Sequence, residues 1–494
     1  MPGRDFVALR LVSMVASAAF LAVSLFGVWY PYTLEPYEGT VLLPAQRMAS
    51  GLAIYGPEVL LRPPYLWSAY GPGFYIVCGL LMKALGSAPL WPGRLVSLLA
   101  TVGTGALVGV CVHRRRGSRP GAVAALAVFA VLPTTWSFGA LCRVDALAVF
   151  LSMAAASLFL GAEGRNGRIF LAGCSAALAL LTKATVVGAA LAVVVTLAAE
   201  RRWRALGVFF VGGAAVTALT AALLHATGND GYWPSQLANS QVPFRMSVAI
   251  KVFRAFAQNY IVLSAVMLSI AGLAVAKRGR RDAVESFAFL FLGASGLIAA
   301  ITTAKAGANI NYYCEFGVAL ALNAGLAVAR LGITRSLSEA ASELHLKMLA
   351  IAVVGQLLVF NVSYVEGRVF MPLRRAAVYR RAIEEIARHV PPTGSVGGEY
   401  PELALQAKRQ VWMNDWAMFV LGPEPVRRIR AESIDRRSVD AWVMVGGGVF
   451  PGYVQLEIGS TDPVSMSGNP HHLGPLVFVR QEAAQLGSPG GTPD

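Results

Sequence analysis

Apolar runs long enough to cross a bilayer alternate with short polar breaks along most of this chain. Segments 11–29, 121–140, 205–224, 257–276 and 284–303 are almost uninterrupted, and each approaches the roughly 20 residues a helix needs to span the hydrocarbon layer. Segments 90–112, 146–162 and 314–331 are comparable. The largely apolar stretch 169–199 is too long for one straight crossing and short for two, which predicts a hairpin with Thr182 and Lys183 at its tip. Segment 68–86 differs, because Gly71, Pro72, Gly73 and Gly79 interrupt it. It reads as an interfacial or re-entrant piece, since such backbone persists at membrane depth only under a cover of protein. From 373 the texture changes again: "RRAAVYRRAIEEIARHV" has the period of an amphipathic helix, "PPTGSVGGEYP" reads as a turn and short strand, and "DAWVMVGGG" as a second strand. The tail "GSPGGTPD" has the composition of a disordered segment.

Charge orients these segments. The chain is 56% hydrophobic and 14% charged over 494 residues, against about a quarter charged in soluble domains. Its net charge of +15 comes largely from clusters between apolar runs: "HRRRGSR" (113–119), "EGRNGR" (163–168), "ERRWR" (200–204) and "KRGRRD" (277–282). Clusters of this kind mark cytoplasmic loops, which accounts for the basic excess and sets nucleic acid aside as a partner. Keeping all four on one side requires an even number of spans between neighbours. With 68–86 not crossing, this predicts eleven transmembrane helices and a cytoplasmic N-terminus. Segments 30–89, 141–145, 225–256, 304–313 and everything after about 364 then lie outside. The expected organisation is a polytopic α-helical transmembrane domain (1–363) with first outer loop 30–89, a small α/β extracytoplasmic domain (364–484) and a disordered tail (485–494). No small-residue cleavage site follows the first apolar run, so it reads as a span rather than a signal peptide. Five single cysteines suit small buried side chains, with a Cys142–Cys314 bridge conceivable because both fall near one face.

On this topology the outer face gathers the polar chemistry. Loop one carries Glu35, Glu38 and Arg62 among Tyr37, Tyr70, Tyr75 and other aromatics; Arg143 and Asp145 stand in "LCRVDAL"; Lys183 tops the hairpin; "KAGANINYYCEF" supplies Lys305, Asn311, Tyr312 and Glu315. Each has a plainer reading: a local ion pair or helix cap for Arg143 and Asp145, an aromatic belt for the tyrosines, snorkelling for Lys183. Charges near a span cost energy, however, and these converge on one face. A carboxylate in an apolar setting can act as general base on a hydroxyl, Arg and Lys can hold a phosphate leaving group, and a second carboxylate can share a divalent metal ion. Aromatic walls suit a sugar or a lipid chain. No dinucleotide fingerprint or P-loop is present. Together these describe glycosyl transfer from a lipid-phosphate sugar at the outer face of the membrane.

The order of motifs resembles the GT-C superfamily of membrane glycosyltransferases, especially bacterial relatives of the protein O-mannosyltransferase and aminoarabinose transferase type. The carriers are "YEGTVLLPAQRMASGLAIYGP", "YGPGFYIVCGLLMKALGSAPLWPGRLVS" (70–97), "LCRVDAL", the Thr182–Lys183 hairpin and 306–315, over residues 1 to about 335. The resemblance implies a GT-C fold and an inverting transfer from a polyprenyl-phosphate sugar to a lipid, glycan or protein hydroxyl. It implies a place in a bacterial inner (plasma) membrane, among membrane lipids, with the active site and C-terminal domain facing the periplasm or exterior. Glu38 would be the base and Asp145 the second acid, with a divalent metal ion between them an open choice. Arg143, Lys183 and Lys305 would hold the donor phosphate. Tyr37, Tyr70, Tyr75, Asn311 and Tyr312 would line the substrate. Tyr37 stands where the family has its first acid, which leaves Glu35 as an alternative base. Tyr70 stands where the aminoarabinose enzymes have a lysine, and Arg62 is the candidate to replace that phosphate contact. A lipid-linked-sugar transporter or flippase and a non-catalytic binding member of the fold are the rival readings; the first should show repeats, and the chain has none.

Overall fold

The computed structural model describes residues 4–413, apart from 36, 63–64, 88, 241, 279–281, 306, 334–338 and 399, and beyond them 428–429, 432, 439–444, 453–456 and 476–480. The expected disordered tail lies outside the described residues. The first span, α1 (Arg4–Trp29), leads into loop one, which contains α2 (Glu38–Ala49), α3 (Pro57–Leu60) and α4 (Pro72–Leu85). A bundle follows: α5 (Trp91–Arg116), α6 (Arg119–Val131), α7 (Pro133–Phe138), α8 (Asp145–Leu160), α9 (Asn166–Leu180), α10 (Gly188–Ala199) and α11 (Trp203–Ala226). Then come α12 (Tyr232–Ser240), α13 (Met246–Arg278), α14 (Ala283–Thr302), α15 (Cys314–Ile333), α16 (Glu339–Gly355), α17 (Val362–Val365), α18 (Met371–His389) and α19 (Pro401–Gln406).

Among the described residues six helices are long and apolar enough to cross a membrane, and five further apolar helices fall between 10 and 17 residues. Two differences from the sequence pattern have local causes. Pro133 removes a donor at the junction, Leu132 is extended there, and the expected span 121–140 divides into α6 and α7. The last span does not stop near 363. Residues 347–389 form one helix through π-helical stretches at Gln356–Asn361 and Glu366–Phe370, so the expected domain boundary falls inside it. By contrast α4, with 14 residues, is about 21 Å long, less than the roughly 30 Å hydrocarbon thickness. It opens with Pro72 at its first turn and closes on Gly86 in the left-handed conformation.

Small residues let the helices approach closely. Gly121 of α6 faces Gly325 of α15, and Gly173 of α9 faces the Phe209 carbonyl of α11, the packing that substitutes in lipid for a hydrophobic driving force. The basic loops meet at one end of the bundle. Arg116 pairs with Asp282 at 2.6 Å and with Glu285 at 2.8 Å, Arg330 also binds Glu285, and Arg115 reaches Glu163. The loops at 30–35, 139–145, 181–187 and 307–313 gather at the other end, joined by contacts of Glu35 with Arg143 and of Asp145 with Lys183 and Asn311.

There the chain beyond α17 packs onto loop one. Among the described residues a five-stranded sheet has the order β2-β1-β3-β5-β4; β1 (Ser395–Gly398) pairs in parallel with β2 (Gln410–Val411) and β3 (Ala441–Met444), and β5 (Leu476–Arg480) runs antiparallel to both β3 and β4 (Tyr453–Leu456). Its apolar face shares a core with loop one, where Trp67 and Ala69 pack with Trp412, Trp442 and Phe478. Tyr30 donates to the Pro372 carbonyl at 2.6 Å, Gln406 to that of Pro31 at 2.9 Å, and Tyr32 stacks on Tyr379.

Gly71 shows how tightly loop one meets the hairpin. Its Cα faces the Leu181 carbonyl oxygen, which would lie 2.0 Å from an added Cβ, and Gly73 N–H donates to that oxygen at 3.1 Å. Overpacking of this kind costs about 1–3 kcal/mol. Gly71→Ala is therefore expected to lower the unfolding temperature in detergent by several degrees, and an unchanged temperature would refute the contact.

Candidate active site

Two carboxylates leave the first turn of loop one and meet different fates. Glu38 opens α2 and is fully buried, as is Arg94 near the start of α5. The guanidinium grips it in bidentate fashion, Nε to Oε1 at 2.8 Å and Nη2 to Oε2 at 2.6 Å. The N–H of Cys142 donates to Oε1 at 2.9 Å and that of Leu34 to Oε2 at 2.7 Å. A carboxylate offers about four lone-pair sites, and here all are used. Burial pushes the Glu38 carboxyl up, but the Arg94 charge and these hydrogen bonds outweigh it and hold the group below its ordinary range. Arg94 also donates to the carbonyls of Gly27, Tyr30 and Tyr32. The pair fastens α1, loop one and the 139–145 turn together. Glu38, expected as the base, is thus a fully buried carboxylate whose acceptor positions are taken by Arg94 and two backbone N–H groups.

Glu35 is the accessible acid, its side chain 16% exposed. Oε1 accepts from Arg143 Nη1 at 2.8 Å and Oε2 from Tyr37 N–H at 3.2 Å. Burial raises its carboxyl above the ordinary value, with the neighbouring Glu38 charge adding to the rise, against the lowering pull of Arg143 and Arg368. Arg143 lies between the rings of Tyr37 and Phe138, 5.6 and 5.5 Å from their centroids, a geometry that favours a planar cation. Its Nε reaches Asp145 Oδ2 at 3.2 Å and its Nη2 the Tyr70 hydroxyl at 3.3 Å. Asp145, the first residue of α8, also accepts from Lys183 at 2.5 Å and Asn311 at 2.9 Å. Lys183 in turn sits over the Tyr312 ring. Buried alternation of charge thus runs Glu35, Arg143, Asp145, Lys183.

This chain of charges backs a chamber with an empty volume of about 980 Å³, its open mouth included. Arg143, Lys183, Lys305, Tyr37, Tyr70 and Tyr312 contribute to its wall, and α12 closes one side with Gln236 and Asn239. Glu35 and Asp145 stand behind the cations rather than on the wall. Lys305 makes no ion pair among the described residues.

Two expected site residues, Tyr75 and Arg62, lie elsewhere, and Glu315 of the outer-face set serves a helix cap. Tyr75 is buried in the apolar core beneath Tyr70. Arg62 is exposed and outside the chamber lining. Glu315 accepts from the N–H groups of Gly188 and Ala189 and from Ser152, capping α10 from a neighbouring helix. Cys142 and Cys314 are both free. Two residues the sequence reading left unassigned prove central. Arg94 announced itself only as an arginine at the mouth of an apolar run. Arg368, in a π-helical turn of the last span, donates to the carbonyls of Leu34 and Ser137 at 3.3 and 2.5 Å. It carries no local sequence signal.

A divalent cation shared by Glu38 and Asp145 does not fit these residues. Hard cations need free oxygens, and the oxygens of both acids are already committed to cationic and N–H donors. Among the described residues no group of three or more His, Cys, Asp or Glu side chains comes together.

Residues 70–226 match the family model described as dolichyl-phosphate-mannose-protein mannosyltransferase. No curated protein matches the chain in sequence. Among solved structures, the chain is similar to ArnT from Cupriavidus metallidurans bound to undecaprenyl phosphate, at 14% identity over 94% of this chain and 97% of that one, with a TM-score of 0.63. It is also similar to the apo oligosaccharyltransferase of Archaeoglobus fulgidus (12% identity, 89% of this chain and 69% of that one, TM-score 0.57). Arabinofuranosyltransferase AftD from Mycobacteria matches at 16% identity over 95% of this chain and 40% of that one, with a TM-score of 0.56. These findings join the helical architecture in one conclusion: the chain is an integral membrane protein with the GT-C fold of membrane glycosyltransferases.

Proposed function

We propose that this protein is an inverting glycosyltransferase. It would move a sugar from a polyprenyl-phosphate donor to a hydroxyl of a lipid, glycan or protein acceptor at the outer face of a bacterial plasma membrane. The observation that carries this reading is the cationic, aromatic chamber at the end of the bundle opposite the basic loops. Positive-inside asymmetry supports an outward-facing position for that end. The ArnT structure carries undecaprenyl phosphate, which supports a lipid phosphate as the occupant.

In this mechanism Glu35 accepts the proton of the acceptor hydroxyl as its oxygen attacks the anomeric carbon. The bond from that carbon to the phosphate oxygen breaks from the opposite face, and the electron pair leaves with polyprenyl phosphate. The proton neutralises Glu35, which frees the Arg143 charge for the phosphate at the moment negative charge develops there. Lys305, uncommitted beforehand, and Lys183 complete the stabilisation. Glu38 acts by holding the loop that bears Glu35. Asp145 fixes Arg143 and Lys183.

The test is transfer or release of sugar from radiolabelled polyprenyl-phosphate sugars by the purified protein in lipid, with an acceptor-containing membrane extract present. Turnover of at least one donor is expected, and Lys305→Ala should raise the donor KM about tenfold with a smaller change in kcat, as expected for loss of one charge-assisted contact. Binding of polyprenyl phosphate without turnover of any donor would favour a non-catalytic binding protein.

A further inference from the structure

The chamber wall holds two buried polar atoms that no described group satisfies: the side-chain Oδ1 of Asn311 and Nε2 of Gln236. A buried group left unpaired costs about 1–3 kcal/mol, and of the unpaired buried atoms among the described residues these two stand on the chamber wall, where a ligand can satisfy them. Asn311 is 4% exposed, and its orientation is set because its amide N–H donates to Asp145 at 2.9 Å. Its oxygen is therefore left to accept. Gln236 lies on α12, which Asn239 fastens to loop one by donating to the Ala69 carbonyl at 2.7 Å. A primary amide offers a donor or an acceptor according to how it is turned. A hydroxyl answers either one.

The charges on the wall narrow the ligand further. Arg143, Lys183 and Lys305 face the chamber, while Glu35 and Asp145 stand behind them, paired. An ammonium on the transferred group would meet cations, and the nearest carboxylates, Glu35 and Asp145, are already paired with those cations. From these observations we infer that the chamber is built for a neutral, hydroxyl-bearing sugar, read by Asn311 and Gln236, and that it rejects amino sugars. This deepens the donor reading above and rests on it.

Binding of three probes to the purified protein in nanodiscs tests the inference: polyprenyl phosphate alone, the same lipid carrying a neutral pentose or hexose, and the same lipid carrying a 4-amino pentose. The neutral-sugar lipids are expected to bind about tenfold more tightly than the bare lipid, from one net hydrogen bond or more, and the amino-sugar lipid no more tightly than the bare one. Gln236→Leu should remove most of that advantage, read within the variant as the ratio of neutral-sugar to bare-lipid affinity. Gln236→Glu, close in shape, should shift preference toward the amino sugar. Equal affinity for neutral-sugar and amino-sugar lipids, or an undiminished preference in Gln236→Leu, overturns the inference alone. Failure of the bare lipid to bind overturns the donor reading and this inference with it.

Discussion

Glu35→Gln is expected to abolish sugar transfer while leaving the protein folded and able to bind its donor. The carboxylate is partly exposed, sits on a loop rather than in the core, and makes its ion pair at one oxygen. Its amide isostere keeps the shape and loses the proton acceptor. General-base catalysis contributes typically 10²–10⁴-fold, so kcat should fall by about that factor. The donor KM should hold or drop, because Arg143 loses a competing carboxylate. The pH dependence gives a second readout. Burial raises the Glu35 carboxyl, so on descending pH it takes up its proton earlier than a free glutamate, whose pKa is about 4.3. The base is active only when ionised. The acid limb of kcat/KM should therefore lie above the ordinary carboxylate range in the wild type, and Glu35→Gln should show no such limb. Steady-state kinetics across pH on both proteins decides the matter. Full activity in Glu35→Gln would move the base to Asp145.

The second large effect falls on folding. Breaking one member of a buried ion pair costs about 3–5 kcal/mol, because the partner is left charged and uncompensated. Both Arg94 and Glu38 are fully buried, and Arg94 further holds three carbonyls of loop one and α1. Arg94→Met and Glu38→Gln should each sharply reduce the yield of monodisperse protein and its unfolding temperature in detergent. Replacing both with apolar residues should hurt less than Arg94→Met alone. The pair also sets a pH limit. The Glu38 carboxyl lies below its unfolded value, so its contribution is in force above that value and is lost as pH falls through the depressed one. A Glu38→Gln protein that folds normally and fails only in turnover would restore Glu38 as the base.

Those contrasting expectations show where the sequence was informative and where it was silent. Apolar run length and the four basic clusters were enough to locate the helices and to place the polar chemistry at one end, since both depend on local composition. The non-crossing character of the segment around α4 was visible in the same way, whereas the break at Pro133 was not, and 121–140 read as one span. The choice between Glu35 and Glu38 was not. The two acids are three positions apart with similar neighbours, and what separates them is Arg94, 56 residues along the chain. Tyr75 was assigned to the site and lies in the core, because a tyrosine in an outer loop looks the same on either side of its helix. The amides of α12 went unassigned for a related reason: Gln236 gains meaning only once Asn239 docks the helix on loop one.

Arg368 adds a dimension of time. It clasps the carbonyl of Leu34 from 334 positions further on, and the sheet that covers loop one is later still. A ribosome delivers the loop bearing both acids early, then makes most of the bundle before either restraint exists. The outer corner of the molecule therefore closes near the end of synthesis. Chains that terminate before Arg368 should insert in the membrane without this clasp on Leu34, and under the proposed function they should transfer no sugar.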